Sequence, residues 1–253
     1  MKIAIIGYGK MGRMIEKVAQ ERGHEIVSVI DAENTEDFSS PKFREADVAI
    51  EFSTPATAVD NILATFAAGV PIVSGTTGWT NSLPDIKAIC DKGAGTLLYA
   101  SNFSIGVNIF MALNRYLSGI MNDFNQYRPH LTETHHIHKL DHPSGTAITL
   151  AEELIGKVKR LTGWKEPEAG VKTADDLLPI DHIREGEVAG IHTVTWESGA
   201  DILSITHSAK SREGFALGAV MAAEWLAGRK GWHTMGEMLS DVTHTTGLFE
   251  VAD

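Results

Sequence analysis

Between positions 135 and 146 the chain reads His135-His136-Ile137-His138-Lys139-Leu140-Asp141-His142-Pro143-Ser144-Gly145-Thr146, with four imidazoles and one ammonium inside eight residues. Imidazole changes charge near neutral pH, so it is the side chain best suited to delivering a proton during a reaction. An ammonium beside it stabilises an anion. His135 and Lys139 share a face whether the segment is helical or extended, because i and i+4 coincide in both periods. A straight strand would hold them about 13 Å apart, so joint action on one small molecule requires the chain to turn between them. Ser144-Gly145-Thr146 adds an anion cradle. Gly145 has no side chain to obstruct a ligand, and Thr146 offers a hydroxyl and an N–H at the start of a helix, where a carboxylate is favoured.

Two other uses of this block compete. Imidazoles ligate metals, but there is no H-E-x-x-H, no partnering cysteine and no carboxylate at a diagnostic offset, so no metal ligand set is read here. The block could also be a solvated polar loop, with Ser144 or Thr146 as a plain helix cap.

A second constellation opens the chain. Gly7-Tyr8-Gly9-Lys10-Met11-Gly12 fits G-x-G-x-x-G, and it follows the β-branched run Ile3–Ile6 and precedes a helical pattern, the context a dinucleotide loop needs. Gly7 permits the turn, Gly9 lets backbone approach a pyrophosphate, and Gly12 lets helix and strand pack closely. Packing alone is the other reading of the three glycines. Asp31 closes the second apolar run, 19 residues after Gly12, where an acid accepts from a ribose hydroxyl and repels a 2′-phosphate. Lys10 either reaches a phosphate of the nucleotide or is a solvated helix-start lysine. Gly75-Thr76-Thr77-Gly78 and Ala100-Ser101-Asn102-Phe103 follow the fourth and fifth apolar runs. They are placed to touch a nicotinamide ribose or amide beyond the strand ends, or they are ordinary turns.

The elements that must position these groups follow from periodicity. Apolar runs at Ile3–Ile6, Ile26–Ile30, Val48–Phe52, Pro71–Ser74 and Thr96–Tyr99 alternate with helical spacing at Met11–Gln20, Ala56–Ala68 and Leu83–Asp91. That alternation implies a parallel sheet covered on both faces. The segment from Asp31 to Ala46 is read as a loop crossover. After Asn102 the pattern changes. Helices are expected at about Gly106–Met121 and Thr146–Lys159, an extended stretch at Tyr127–His136, and a polar surface loop over Gly163–Asp181. Gly190–Trp196 and Ile202–Ser208 read as an antiparallel hairpin. Phe215–Leu226 is an apolar helix suited to pack back on the first domain. The fold class is α/β: a Rossmann-type parallel-sheet domain over 1–103 and 213–253, and an α+β domain over 104–212. His192 and His207, in the hairpin strands, are read as structural, and Arg212 as an exposed arginine more readily than a carboxylate binder.

Composition bounds the rest. At 253 residues the chain can build two modest cores. A net charge of -11 with no basic run disfavours nucleic acid, and no apolar stretch suits a membrane span. Met1–Gly7 reads as a strand rather than a signal peptide. The single cysteine, Cys90, suits a reducing compartment, so a cytoplasmic location is expected.

Taken together, these segments resemble the 4-hydroxy-tetrahydrodipicolinate reductase (dihydrodipicolinate reductase) family. The resemblance rests on the Gly7–Gly12 loop, Gly75–Gly78, Ser101-Asn102-Phe103-Ser104-Ile105-Gly106-Val107-Asn108 and Glu133-Thr134-His135-His136-Ile137-His138-Lys139. Pro143-Ser144-Gly145-Thr146-Ala147 and Ile205-Thr206-His207-Ser208-Ala209-Lys210-Ser211-Arg212 complete it. It implies reduction of a cyclic imine dicarboxylate by NADH or NADPH, with loss of water, in diaminopimelate and lysine biosynthesis. It implies His135 as proton donor, Lys139 as its partner cation, His136 as a substrate contact, and Gly145 and Thr146 as carboxylate binders. Cofactor contacts fall on Gly7, Tyr8, Gly9, Lys10, Met11, Gly12, Asp31, Gly75, Thr76, Thr77, Ala100, Ser101, Asn102 and Phe103. A homotetramer built through the second domain's sheet is implied as well. Here the glycine loop is one residue shorter than in many members, and Asp31 is followed by Ala32 rather than a basic residue. Another two-domain amino-acid-pathway dehydrogenase is the enzyme alternative. A nicotinamide-sensing regulator is the non-enzyme one, and the acidic balance opposes it.

Overall fold

The computed structural model describes residues 1–245 and 247–249. The chain divides into two compact units, Met1–Asn108 with Arg212–Asp253, and Ile109–Ser211.

In the first unit the β-branched runs become β1 (Lys2–Ile6), β2 (Glu25–Ile30), β3 (Val48–Glu51), β4 (Ile72–Ser74) and β5 (Thr96–Tyr99). Helices α1 (Lys10–Glu21), α3 (Ala58–Ala67) and α4 (Leu83–Asp91) connect them, and α1 buries Ile15, Val18 and Ala19. Every strand pairing in this sheet is parallel. The sheet has six strands in the order β11-β5-β4-β3-β1-β2, and its edge strand β11 (Gly231–Thr234) was not foreseen because its sequence, Gly-Trp-His-Thr, carries no apolar run. The Asp31–Ala46 crossover is not a pure loop. It holds a 3-10 turn (Thr35–Ser39) and the one-turn helix α2 (Pro41–Arg44), which the Ser40 hydroxyl caps at Phe43 N–H. Helix α7 (Glu213–Leu226) returns to pack on α1, β3 and β4. Helix α8 (Met235–Thr243) follows with a Thr234/Glu237 capping box.

The second unit contains most of α5 (Ile105–Met121), then β6 (Arg128–His135), α6 (Gly145–Lys157), β7 (Gly163–Lys165), β8 (Leu177–Arg184), β9 (Ile191–Glu197) and β10 (Ile202–Ser208). Its sheet runs β10-β9-β6-β8-β7. β9 and β10 form the antiparallel hairpin, β6 is antiparallel to β9, and β6, β7 and β8 are mutually parallel where they pair. The surface loop expected over 163–181 is corrected: β7 and the first part of β8 lie within it, and only 166–176 lacks regular structure. The signal was weak because Leu178 and Ile180 are the only residues of β8 that are fully buried. The boundary between units falls inside α5, after Asn108, because the Asn108 amide donates to the carbonyls of Asn102 and Ser104 and so ties the first helical turn to the preceding loop. Among the described residues no helix is long and apolar enough to cross a membrane.

Two glycines in the β1–α1 loop are fixed by contact. A Cβ on Gly12 would lie 2.1 Å from Gly7 O, and one on Gly7, at φ +85°, would lie 2.2 Å from Phe52 O. A Cβ on Gly9 would meet nothing within 4 Å. Gly12→Ala is therefore expected to destabilise the chain by about 1–3 kcal/mol, whereas Gly9→Ala changes stability by no more than about 1 kcal/mol. Urea unfolding of the two variants checks this, and equal losses would contradict it.

Candidate active site

Along β6, burial alternates with the pleat. Leu131 faces the helices and packs with Ile180, Val194 and the α6 residues Leu150, Ala151 and Leu154. Two residues further on the same face is Glu133, opposite His182 on β8 and His192 on β9, and two beyond that is His135, opposite Arg184. One face of one sheet thus passes from apolar core to a polar cluster at the carboxyl end of β6.

Glu133 is fully buried. Its carboxylate accepts from Ser144 N–H at 3.1 and 3.2 Å and from Arg184 Nη2 at 3.4 Å, while His135 Nδ1 and His192 Nε2 lie 3.5 and 3.6 Å away. Burial alone would raise its pKa. The contacts from His192 and Ser144, with the charge of His135, overcome that and bring it down to about 2. Ser144 is the N-cap of α6: its hydroxyl accepts from Ala147 N–H and meets His192 Nε2 at 3.1 Å.

His135 is 8% exposed, and among the described residues its buried Nδ1 has no hydrogen-bond partner. Its Nε2 lies 3.1 Å from where Gly190 would carry a Cβ, so the missing side chain leaves that nitrogen room. Burial pushes its pKa down to about 4; Glu133 opposes this, while His192, Lys139 and Arg184 reinforce it. The imidazole is neutral at pH 7 in the unliganded protein.

The chain turns sharply after His135, as joint action with Lys139 requires. Ile137 N–H bonds to Gly186 O and Lys139 N–H to His136 O. Arg184 holds this turn, donating from Nε to Lys139 O at 3.1 Å and from Nη2 to Asp141 O at 2.8 Å. Lys139 Nζ pairs with Asp141 at 2.6 Å. His136 is half-buried, with its Nδ1 unpartnered among the described residues. Gly145 is exposed with open space at its Cβ position, and Thr146 is half-buried beside it. Their N–H groups belong to the first turn of α6, where donors have no partner within the helix. This arrangement can bind a carboxylate at the helix start and present an imidazole and an ammonium beside it.

The first unit holds a separate cleft of about 470 Å³ beyond the ends of β1, β2 and β3. Gly7, Tyr8, Gly9 and Asp31 line it, with Ala32, Thr35, Phe52, Ser53, Thr54, Thr57 and Asn61. The fit to a dinucleotide is good: Gly9 leaves open space, and the first turn of α1 carries no acidic residue that would repel phosphate. The Tyr8 hydroxyl donates to Glu16, with the Arg13 guanidinium 4.5 Å from the Tyr8 ring. Lys10, Met11 and Gly12 start α1 and do not line the cleft, nor do Gly75, Thr76, Thr77 or Ala100–Phe103. Several of these lie beneath its wall. The Phe52 ring occupies the space a Gly75 side chain would need and sits 5.7 Å from the Phe103 ring. Thr76 is buried and its hydroxyl accepts from Ser53 N–H. Asn102 turns the chain into α5, accepting from Ser104 N–H.

Sequence reasoning missed Glu133, Arg184, Ser53, Thr54 and Asn61. His192, read as structural, is buried against Ser144 and Glu133. Glu133 had a usable signal: it is a charged residue on the buried phase of an alternating strand, two positions before His135. Arg184 had none, because its role depends on the parallel pairing of β8 with β6.

Family models described as dihydrodipicolinate reductase N-terminus and C-terminus match residues 1–103 and 106–239. A 4-hydroxy-tetrahydrodipicolinate reductase of Christiangramia forsetii is 47% identical over 96% of this chain and 99% of its own length. One from Archaeoglobus fulgidus is 34% identical over 94% of this chain and all of its own. A dipicolinate-bound dihydrodipicolinate reductase from a Paenisporosarcina species has the same fold, with a TM-score of 0.75 at 20% identity over 92% of this chain and 97% of that one. The chain belongs to the dihydrodipicolinate reductase family.

Proposed function

We propose that this chain is an oxidoreductase that converts 4-hydroxy-tetrahydrodipicolinate to tetrahydrodipicolinate in the diaminopimelate route to lysine, using a nicotinamide cofactor. The observation that carries the reading is His135, seated on buried Glu133 beside the open first turn of α6. A reduced nicotinamide, when bound, supplies the hydride. Gly7, Gly9 and the α1 N-terminus would hold its pyrophosphate, and Asp31 a ribose hydroxyl. The substrate's carboxylates meet the N–H groups of Gly145 and Thr146, the Thr146 hydroxyl and His136. The 4-hydroxyl leaves as water with a proton from the adjacent ring carbon, which gives a conjugated imine; hydride addition to it then leaves negative charge on the substrate, which His135 relieves by giving up a proton, while Lys139 stabilises that charge.

A neutral His135 cannot act this way until it takes up a proton. Carboxylates arriving beside it favour the imidazolium, so substrate binding draws the proton in. Asp31 is exposed beside the cleft, and its carboxylate accepts from Ala32 N–H. It therefore disfavours a 2′-phosphate and makes NADH the preferred reductant. Four copies assembling on the open face of the second unit's sheet, which exposes Ile183 and Ile202 among threonines, and a cytoplasmic location complete the reading.

His135→Gln should lower kcat by about 10²–10⁴-fold while NADH affinity, followed by fluorescence titration, stays within twofold or so. In the unsubstituted protein kcat/KM should fall as pH rises across neutrality, because the free imidazole titrates low. The corresponding limb in kcat should lie at higher pH. A profile that His135→Gln leaves unaltered would remove His135 from the donor role. Lys139→Met should lower kcat and raise KM together; unchanged constants would make the lysine a surface charge. For the cofactor, the specificity constant for NADH should exceed that for NADPH by about tenfold, the worth of roughly one unfavourable charge contact, and Asp31→Ala should narrow the gap. A strong NADPH preference would overturn the role given to Asp31.

A further inference from the structure

His142, Glu166 and His182 come from three separate segments: the loop before α6, the residue after β7, and the exposed end of β8. Their ligand atoms all lie within 4.8 Å of one another. Both imidazoles aim Nδ1 at the same carboxylate oxygen, Glu166 Oε1, at 2.7 and 2.8 Å. The two rings stack with centroids 4.0 Å apart and planes 14° from parallel. Imidazole nitrogens are common metal ligands, and here both rings direct one at a single carboxylate oxygen. We propose that these three residues bind one divalent metal ion of the zinc class, independent of the reductase chemistry, and that the ion ties the 139–146 loop to β7 and β8.

The donor set specifies the class. Two imidazole nitrogens and one carboxylate oxygen suit Zn²⁺ and its borderline neighbours rather than Mg²⁺ or Ca²⁺, which prefer all-oxygen shells. Metal–ligand bonds of about 2.0–2.2 Å place tetrahedral donors about 3.3 Å apart, so the present spacing must open by about half an ångström, within reach of small side-chain rotations. The side chains are 45%, 31% and 35% exposed, which gives the ion a path in and leaves the fourth position to water. One carboxylate leaves the loaded site with a single positive charge. The Glu133, His135 and His192 cluster has a similar donor set, but its carboxylate is already engaged by Ser144 N–H and Arg184. The block from His135 to His142 showed no ligand set in sequence because His142's partners lie 24 and 40 positions away.

The test is Co²⁺ titration of the chelator-treated full chain, followed by visible ligand-field absorption, with Zn²⁺ as competitor. One equivalent is expected to bind with a four-coordinate spectrum that Zn²⁺ abolishes. His142→Ala, His182→Ala and Glu166→Gln should each weaken binding by at least about 10–100-fold, the loss usual even for an outer-shell partner. His135→Gln should leave it unchanged. Zn²⁺ should also raise the melting temperature of the unsubstituted chain and not that of His142→Ala. Metal-free melting curves establish that the variants fold, and if His182→Ala does not, the exposed His142 decides. No stoichiometric uptake, uptake that survives His142→Ala, or uptake lost instead in His135→Gln would each overturn the proposal.

Discussion

A carboxylate with no exposed surface, Glu133, organises the second unit. An ionised group in that position costs several kcal/mol unless its lone pairs are engaged. The structure engages them from separate elements: Ser144 at the start of α6, Arg184 on β8, His192 on β9, and His135 on β6 itself. Satisfying one buried charge therefore fixes where α6 begins, how the turn after His135 is held, and how the His135 imidazole is seated. Packing beneath it sets the height of the cluster, since Leu131, Ile180 and Val194 occupy the same sheet face one pleat repeat earlier.

The first unit solves its own positioning problem in a related way. Glu51, also fully buried, ends β3 and accepts from Ser53 N–H and Oγ, Ser74 Oγ and Thr76 Oγ1 at 2.5–2.9 Å. It binds the ends of β3 and β4 together beneath the cleft. Thr76 and Gly75 thus support the wall of the cleft while lining none of it: Thr76 is under Ser53, and Gly75 is under the Phe52 ring. The two carboxylates differ in what they touch. Glu51 is surrounded by hydroxyls and acts as a rigid anchor. Glu133 touches two imidazoles and a guanidinium, so its charge also acts on groups that can change protonation.

Much of this was legible in sequence because it is local. The Gly7–Gly12 loop, the strand–helix alternation and the hairpin are written in neighbouring residues, and the requirement for a turn between His135 and Lys139 followed from strand geometry alone. What escaped depends on pairing across distance. Arg184 becomes a loop clamp only because β8 runs parallel to β6 in a register that sets it opposite His135. β11 forms only because an edge of the parallel sheet was open to a segment with little strand character. The stretch 163–181 read as a loop because its polar middle dominated, although its two ends each join the second sheet.

The positive charge at the site is distributed unevenly. The chain is acidic overall, so a dianionic ligand must be drawn in by local cations. Arg184 has the stronger donor geometry, yet its nitrogens are committed to Lys139 O, Asp141 O, Ile183 O and Glu133. It shapes the loop and has little left to offer a ligand. Among the described residues Lys139 is paired only with Asp141, whose side chain is 67% exposed. An ion pair with so solvated a partner is worth at most about 1 kcal/mol, so exchanging Asp141 for a substrate carboxylate costs little. The division follows from partners rather than burial, since the two side chains are almost equally covered, at 18% and 20% exposed: Arg184 is held by four acceptors, whereas the single exposed partner of Lys139 is easily exchanged.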